Sequence, residues 1–370
     1  MQNVYLLVKP ASGRCQLRCG YCFYRDETLP RQARDRGFMT LSTLEAVVRE
    51  GLGYAGREVT FAFQGGEPTL AGLPFFEAAV RLQKQYNTRG VKVNNTLQTN
   101  GLLLDGAWAA FLRENGFLVG LSLDGVAATH NANRPDAAGQ GTFARTLQAA
   151  KLLQAHNVEF NILTVVNRQT AEAAAEIYGF YKAQGFSWLQ FIPCLDPVGE
   201  APGGHAYSLS PADYGRFLTD TFDLWYRDVK RGAQPFIRQF ENYVGMLLGL
   251  PPEACGMRGV CGLQHAVEAD GSVYPCDFYV TDALYLGNLN ENTLAEINAR
   301  RVRTGFVEAS AFIHERCRAC RWFPLCRGGC RRCRPPDESG RPGLNIFCES
   351  YRTFFAHAIE GLTEIADGIR

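Results

Sequence analysis

Cys15, Cys19 and Cys22 stand in the stretch KPASGRCQLRCGYCFYRDE with the spacing C-x3-C-x2-C. Three thiolates this close can hold three irons of a four-iron cube, which takes one protein ligand per iron. The fourth iron is then open to a small molecule. A closed electron-transfer cluster needs a fourth thiolate nearby, and the next cysteine, Cys194, lies far downstream. Zinc is the competing occupant. It tolerates C-x2-C pairs but wants four closed nitrogen or sulfur ligands in a structural site, and no histidine or fourth cysteine stands close by.

A second cysteine field runs Cys255-x5-Cys261-x14-Cys276, then Cys317-x2-Cys320-x5-Cys326-x3-Cys330, and ends at Cys348. Eight thiolates can close two four-iron clusters. Two zinc ribbons would use the same number, and spacing alone does not separate the readings. Coexistence with the first triplet favours iron and sulfur, because extra clusters give a redox enzyme somewhere to send electrons. Cys194 and Cys333 are left over and read as small buried hydrophobes.

Two further segments carry candidate chemistry. In Gln64-Gly65-Gly66-Glu67-Pro68 the two glycines let backbone approach a ligand closely, and a free carbonyl or Glu67 can accept from an ammonium group. The plainer reading is a tight turn with Glu67 solvated. In LQHAVEADGSVYPCDFYV, Asp270-Gly271 separates two strand-like runs and signals a hairpin. Alternation along the second strand would turn Cys276 and Asp277 to opposite faces. If Cys276 faces a cluster, Asp277 faces away from it, where a carboxylate could serve as a general base. The plainer reading is a surface aspartate satisfied by the hairpin.

The elements that must position these residues alternate. VYLLVKP, EVTFAFQ, VKVNNTLQ, FLVGLSLD, VEFNILTVV and SWLQFIP read as strands, separated by helical stretches at about 43–54, 74–86, 106–115, 143–156 and 171–184. Apolar runs alternating with helices imply a parallel sheet with right-handed crossovers. The expectation is an α/β fold, a partial (β/α)6 barrel of the TIM type, with a doubly wound open sheet as the alternative. Either way ligands gather at the carboxyl ends of strands. The cysteine loop, Gln64–Pro68, Gln98-Thr99-Asn100-Gly101 and Ser122-Leu123-Asp124-Gly125 follow the first four strands in turn. Beyond about residue 195 a Gly/Pro loop and two amphipathic helices, at about 211–230 and 236–248, form a bridge.

Composition excludes several classes. At 370 residues the chain can form one large domain and a smaller one. Its 38 basic residues against 37 acidic ones leave no electrostatic footprint for nucleic acid or an anionic membrane. The local exception, Arg327 to Arg334, is interleaved with Cys330 and Cys333 and reads as a solvated loop or a shell that neutralises a cluster. The start MQNVYLLVKP has neither a basic n-region nor the apolar run of a signal peptide, and no stretch approaches the ~20 continuous apolar residues of a membrane span. A cytoplasmic, reducing compartment is expected. The odd count of 13 cysteines also argues against a complete internal disulfide framework.

The triplet, with Tyr21 before Cys22 and GGEP one β/α unit later, resembles the signature of the radical S-adenosylmethionine (SAM) superfamily. Nearly the whole chain resembles an anaerobic sulfatase-maturating enzyme with a C-terminal SPASM domain, on LLVKPASGRCQLRCGYCFY, GGEP, YPCDFY and the cysteine spacing to Cys348. The resemblance implies a radical SAM barrel over 1–195, a helical bridge over 196–254 and a SPASM domain over 255–370. It implies SAM and three [4Fe-4S] clusters. Cys15, Cys19 and Cys22 would hold the SAM cluster, Cys255, Cys261, Cys276 and Cys330 one auxiliary cluster, and Cys317, Cys320, Cys326 and Cys348 the other. Tyr21, Gly65, Gly66, Glu67, Ser122, Arg134 and Leu195 would contact SAM, Tyr24 and Gln64 the substrate, and Asp277 would be the catalytic base. The implied reaction is radical oxidation of a Cys or Ser in a Cys/Ser-x-Pro/Ala-x-Arg sulfatase motif to Cα-formylglycine. A reduced flavodoxin or a ferredoxin-type protein would supply electrons, and no nucleic acid or membrane partner is expected. The alternative is a SPASM enzyme that crosslinks a precursor peptide. Such enzymes often carry an N-terminal recognition domain, for which a triplet beginning at residue 15 leaves no room. A zinc-binding interaction module is the non-catalytic alternative.

Overall fold

The computed structural model describes residues 3–26 and 35–369. The strands among them are β1 Val4–Val8, β2 Glu58–Phe63, β3 Lys92–Thr99, β4 Leu118–Ser122, β5 Phe160–Val166, β6 Trp188–Pro193, β7 Phe236–Ile237, β8 His265–Val267, β9 Ser272–Tyr274 and β10 Gly287–Asn288. Each of the six sequence-predicted strands forms, and helices Leu41–Tyr54, Leu73–Tyr86, Gly106–Glu114, Phe143–Ala155 and Ala174–Ala183 alternate with them. The first helix begins two residues before the expected Thr43, because Thr40 is its N-cap and accepts from the Thr43 amide. The expected 171–184 helix is split at Ala173, since Asn167 and Thr170 form a capping box that starts a separate turn, Arg168–Glu172.

The chain divides into two compact units. The first comprises Met1–Ser122, Arg134–Phe160 and Leu263–Gly305. Its strands β1, β2, β3 and β4 lie side by side in chain order and parallel, with Val8 beside Phe63 and Phe63 beside Leu97. Consecutive strands without a reversal are the winding of a partial barrel, whereas a doubly wound sheet reverses at a switch point. Leu6, Val8, Phe61, Leu97, Val119 and Leu121 are fully buried, as parallel strands covered on both faces require. Phe63 packs edge-on to Phe76 and stacks on Phe117, at ring separations of 5.0 and 6.2 Å. Each such buried side chain contributes about 1.5–3 kcal/mol.

On its other edge β1 pairs in parallel with β8, and β9 and β10 extend the sheet antiparallel. The Asp270-Gly271 hairpin therefore belongs with the first strands, although the sequence places it beyond the bridge. Its backbone is tied there by the Lys9 amide, which donates to the Val267 carbonyl at 2.8 Å.

The second unit comprises Leu123–Asn133, Asn161–Gly262 and Phe306–Arg370. β5, β6 and β7 are parallel neighbours in it. The bridge helices Pro211–Val229 and Arg238–Leu247 share a core with the C-terminal helix Cys348–Ile369. Phe354 stacks with Phe240 and lies edge-on to Phe222, and Ser350 Oγ donates to the Pro211 carbonyl at 2.6 Å. Among the described residues no helix is long and apolar enough to cross a membrane.

Candidate active site

In the first unit the loops after β1, β2 and β3 are packed backbone to backbone. Gly66 has φ +55°, and a Cβ there would fall 2.3 Å from the Arg14 carbonyl and 2.9 Å from that of Ser12. Gly65, at φ +99°, lies against the Lys9 side chain, where a Cβ would come within 2.7 Å of Cε. Only glycine fits so close an approach. The Glu67 amide then donates to the Arg14 carbonyl at 2.7 Å and fixes the cysteine loop against the turn.

Glu67 takes a different role from the expected one. Its Oε1 accepts from the Thr69 amide (3.1 Å), Thr69 Oγ1 (2.6 Å) and Thr99 Oγ1 (2.8 Å), and its Oε2 from the Asn100 amide (2.8 Å). A carboxylate has about four acceptor sites, so protein donors fill this one. It braces the β2 and β3 loops and is neither solvated nor left to bind an ammonium group. Burial raises its carboxyl above the usual range, and the same donors oppose that rise.

The triplet is close-set. Cys15 Sγ accepts from the Leu17 amide at 3.3 Å and from Asn100 Nδ2 at 3.7 Å, while Arg134 Nη1 lies 4.0 Å from Cys19 Sγ. The guanidinium also sits over the Tyr21 ring, 5.5 Å from its centroid. Burial pushes the Cys15 thiol up to about 12, with Glu67, Cys19 and Cys22 adding like charge against the Leu17 amide. Metal binding must therefore displace protons, after which N–H donors and a cation already face the thiolates. Among the described residues no three His, Cys, Asp or Glu side chains gather tightly enough to hold a single metal ion. A cube makes another demand, one thiolate to each of several irons. The donor set fits that group.

Asp277 lies in the same unit and is 8% exposed, so it is not a surface residue. Gln64 Nε2 donates to its Oδ2 at 3.3 Å and to Tyr24 Oη at 2.7 Å, and Tyr24 Oη reaches the same Oδ2 at 3.5 Å. The three residues expected at the base and substrate positions are thus brought together. Burial raises the Asp277 carboxyl above its usual range, against the Cys276 thiol and the Lys9 charge, which lower it. A carboxylate made more basic by desolvation suits a general base. The expected strand alternation does not hold here. β9 stops at Tyr274, Cys276 is extended, and Asp277 opens a 3-10 turn. Cys276 Sγ consequently donates to Asp277 Oδ1 at 3.5 Å, so the two side chains touch instead of pointing apart.

Sequence reasoning assigned no role to Lys9, Ser12 or Glu268. Lys9 Nζ pairs with Glu268 Oε1 at 2.7 Å and lies 5.0 Å above the Tyr24 ring, and Ser12 Oγ donates to Glu268 Oε2 at 2.9 Å. All three are at most 1% exposed. The available signal was a pair of opposite charges, each directly after an apolar strand. Ser122, 7% exposed, ends β4. Leu195 follows β6 and belongs to the second unit.

The second unit holds most of the later cysteines. The Cys326 thiol is pushed up to about 12 by burial, with Cys348, Cys317 and Cys320 adding like charge against the Gly328 amide. Cys261 is raised by burial, with smaller additions from Cys330 and Cys255, and a Cβ on Gly256 would lie 3.7 Å from the Cys330 Cβ. Cys330 therefore stands with Cys255 and Cys261 despite its sequence position. Cys276, at the end of the hairpin, belongs to the first unit. Cys194 and Cys333 are buried. Arg334 is 6% exposed and donates to the Ser310 and Phe312 carbonyls at 2.7 and 3.1 Å, so this part of the arginine run braces loops and is not solvated.

A family model described as the Radical SAM superfamily matches residues 10–181, and one described as an iron-sulfur cluster-binding domain matches residues 260–321. The cysteine-type anaerobic sulfatase-maturating enzyme of Clostridium perfringens is 46% identical over 370 residues, 100% of both chains. The serine-type enzyme of Klebsiella aerogenes is 34% identical over 358 residues, 97% of this chain and 86% of its own. Among solved structures, native anSMEcpe with bound AdoMet and Cp18Cys peptide matches with a TM-score of 0.95 at 46% identity, covering 100% of both chains.

Proposed function

Because the chain belongs to the anaerobic sulfatase-maturating enzymes of the radical SAM superfamily, we propose that it oxidises the active-site cysteine of a sulfatase to Cα-formylglycine. The observation that carries this reading is full-length similarity to a cysteine-type relative. Identity is 46% to that enzyme against 34% to the serine-type one, which favours cysteine as the oxidised residue.

Cys15, Cys19 and Cys22 would hold the SAM cluster, and Cys317, Cys320, Cys326 and Cys348 an auxiliary one. Cys255, Cys261 and Cys330 would ligate irons of a third, as would Cys276. When bound, SAM and its cluster supply a 5′-deoxyadenosyl radical that takes a hydrogen atom from the β-carbon of the target. The Gly65–Gly66 backbone, Tyr21, Ser122 and Arg134 are proposed to hold SAM. Leu195 is carried over on the resemblance alone.

Asp277 is the proposed base for the target thiol. Gln64 and Tyr24 fix Oδ2 through the bonds described above, leaving the carboxylate oriented before substrate arrives. Burial raises the Asp277 carboxyl and the Lys9 charge opposes that rise, while Lys9 itself pairs with Glu268. Loss of one hydrogen atom, one proton and one further electron converts the thiol to a thioaldehyde, and hydrolysis gives the aldehyde and hydrogen sulfide. A reduced flavodoxin or ferredoxin-type protein in a reducing, cytoplasmic compartment is the proposed electron source.

The test is anaerobic mass spectrometry of a Cys-x-Pro-x-Arg peptide after incubation with reconstituted enzyme, SAM and a strong reductant. Replacement of the thiol by an aldehyde, with 5′-deoxyadenosine formed, is the expected result. Formation of 5′-deoxyadenosine with every peptide of this class left intact would move the assignment to another peptide reaction.

A further inference from the structure

The helix Leu294–Thr304 of the first unit carries a cation that its protein surroundings leave unsatisfied. Arg301 is 2% exposed, and its Nε, Nη1 and Nη2 all lack hydrogen-bond partners. The other arginines with a buried unpartnered atom, the half-buried Arg36 and Arg238 and the buried Arg334, lack a partner at Nε alone. Each of them donates through its terminal nitrogens, Arg36 to Tyr274, Arg238 to Gln190 and Arg334 to two carbonyls. A guanidinium keeps its charge and offers five donors in a fixed fork. Burying one without an anion is unfavourable enough that a partner is implied.

The helix that carries Arg301 is held in place. His265 on β8 bonds to Asn298 of the same helix at 3.0 Å and to the Tyr5 carbonyl at 3.2 Å, and Arg300 donates to the Leu286 carbonyl at 3.2 Å. Burial lowers the Arg301 guanidinium, the nearby Cys276 and Tyr54 raise it, and Arg301 in turn lowers His265. His265 can only add positive charge. Cys276 is the group that metal binding converts to an anion.

We infer that Arg301 is the charge partner of the iron-sulfur cluster ligated by Cys276, placing its reduction potential where it can take the second electron of the reaction. This rests on the reading of Cys276 as a cluster ligand. A cluster that took one electron from the deprotonated substrate radical would gain one negative charge. A buried cation stabilises that reduced state, and a neutral side chain makes it harder to reach. Arg301 is a positioning residue, since it touches neither substrate nor SAM.

The test uses the reconstituted holoenzyme and four proteins: wild type, Cys276→Ala, Arg301→Met and Arg301→Lys. Iron content and redox titration followed by electron paramagnetic resonance are the readouts. The signal removed by Cys276→Ala identifies the cluster to follow; if that variant keeps all iron and every signal, the reading of Cys276 fails before Arg301 is tested. With the signal identified, Arg301→Met should make it at least tenfold harder to reduce, about 59 mV downward for one electron. Arg301→Lys should recover most of that shift, and SAM cleavage without peptide should match wild type in both variants. Loss of the signal in the Met variant with recovery in the Lys variant supports the same role. An unchanged potential in Arg301→Met, or equal defects in the Lys and Met variants, overturns it.

Discussion

The cysteine loop of the first unit and the cysteine field of the second would present the same ligand type in opposite ways. Cys15, Cys19 and Cys22 lie within eight residues, on a loop locked by the Gly66 approach to the Arg14 and Ser12 carbonyls. The cysteines grouped around Cys326 are spread over 32 residues, from Cys317 on a short helix to Cys348 at the start of a 22-residue one. Local spacing alone suffices for the first set. The second exists only once the C-terminal helix has packed on the bridge. One site is therefore a loop property and the other a folding property, and their removal should have different consequences.

The largest contrast is expected from deleting one ligand at each place. Cys15→Ala should abolish SAM cleavage, whereas Cys317→Ala should retain peptide-independent cleavage while losing iron and aldehyde product. Measuring 5′-deoxyadenosine and iron in both proteins checks this, and equal loss of cleavage would erase the distinction. Next in size is Asp277→Asn. General-base catalysis contributes about 10²–10⁴-fold, so aldehyde formation should fall by that order while SAM cleavage continues.

A smaller effect separates scaffold from ligand at GGEP. Glu67→Ala strands buried donors at Thr69, Thr99 and Asn100, at about 1–3 kcal/mol for each group left unsatisfied. Denaturant unfolding of the purified protein should show that loss. Unchanged stability, with only SAM affinity reduced, would return Glu67 to the ligand role.

The smallest expected effect is in pH. Burial, followed by the Arg301 charge, holds His265 down at about 4, below its unfolded value of about 6.5. The unfolded state takes up a proton that the folded state refuses, so this contribution is complete above pH 6.5 and is lost as pH falls toward 4. At pH 5.5 the loss is about 1.4 kcal/mol. His265→Gln should flatten that part of the stability profile, and an identical slope in both proteins would show that the histidine is not its source.

Legibility in the sequence followed range. The strands and helices up to β6 were readable because an apolar period of two or a helical face is set within a few residues, and the triplet and Gly65-Gly66 are contiguous. Asp277 was found through YPCDFY, but its burial and its contact with Cys276 were not, because β9 ends before the alternation could apply. The pairing of β8 with β1 and the Lys9–Glu268 ion pair join residues about 260 positions apart, and nothing in local patterning specifies such a partner. Arg301 reads from sequence as one arginine in the polar face INARRVR; only burial distinguishes it from Arg300 and Arg303.

The most direct test of the account combines a Cys-x-Pro-x-Arg peptide deuterated at the cysteine β-carbon with wild type and Asp277→Asn. Deuterium is expected in 5′-deoxyadenosine from both proteins and aldehyde peptide in quantity from wild type alone. Full aldehyde yield from Asp277→Asn, or 5′-deoxyadenosine free of deuterium in wild type, would contradict it.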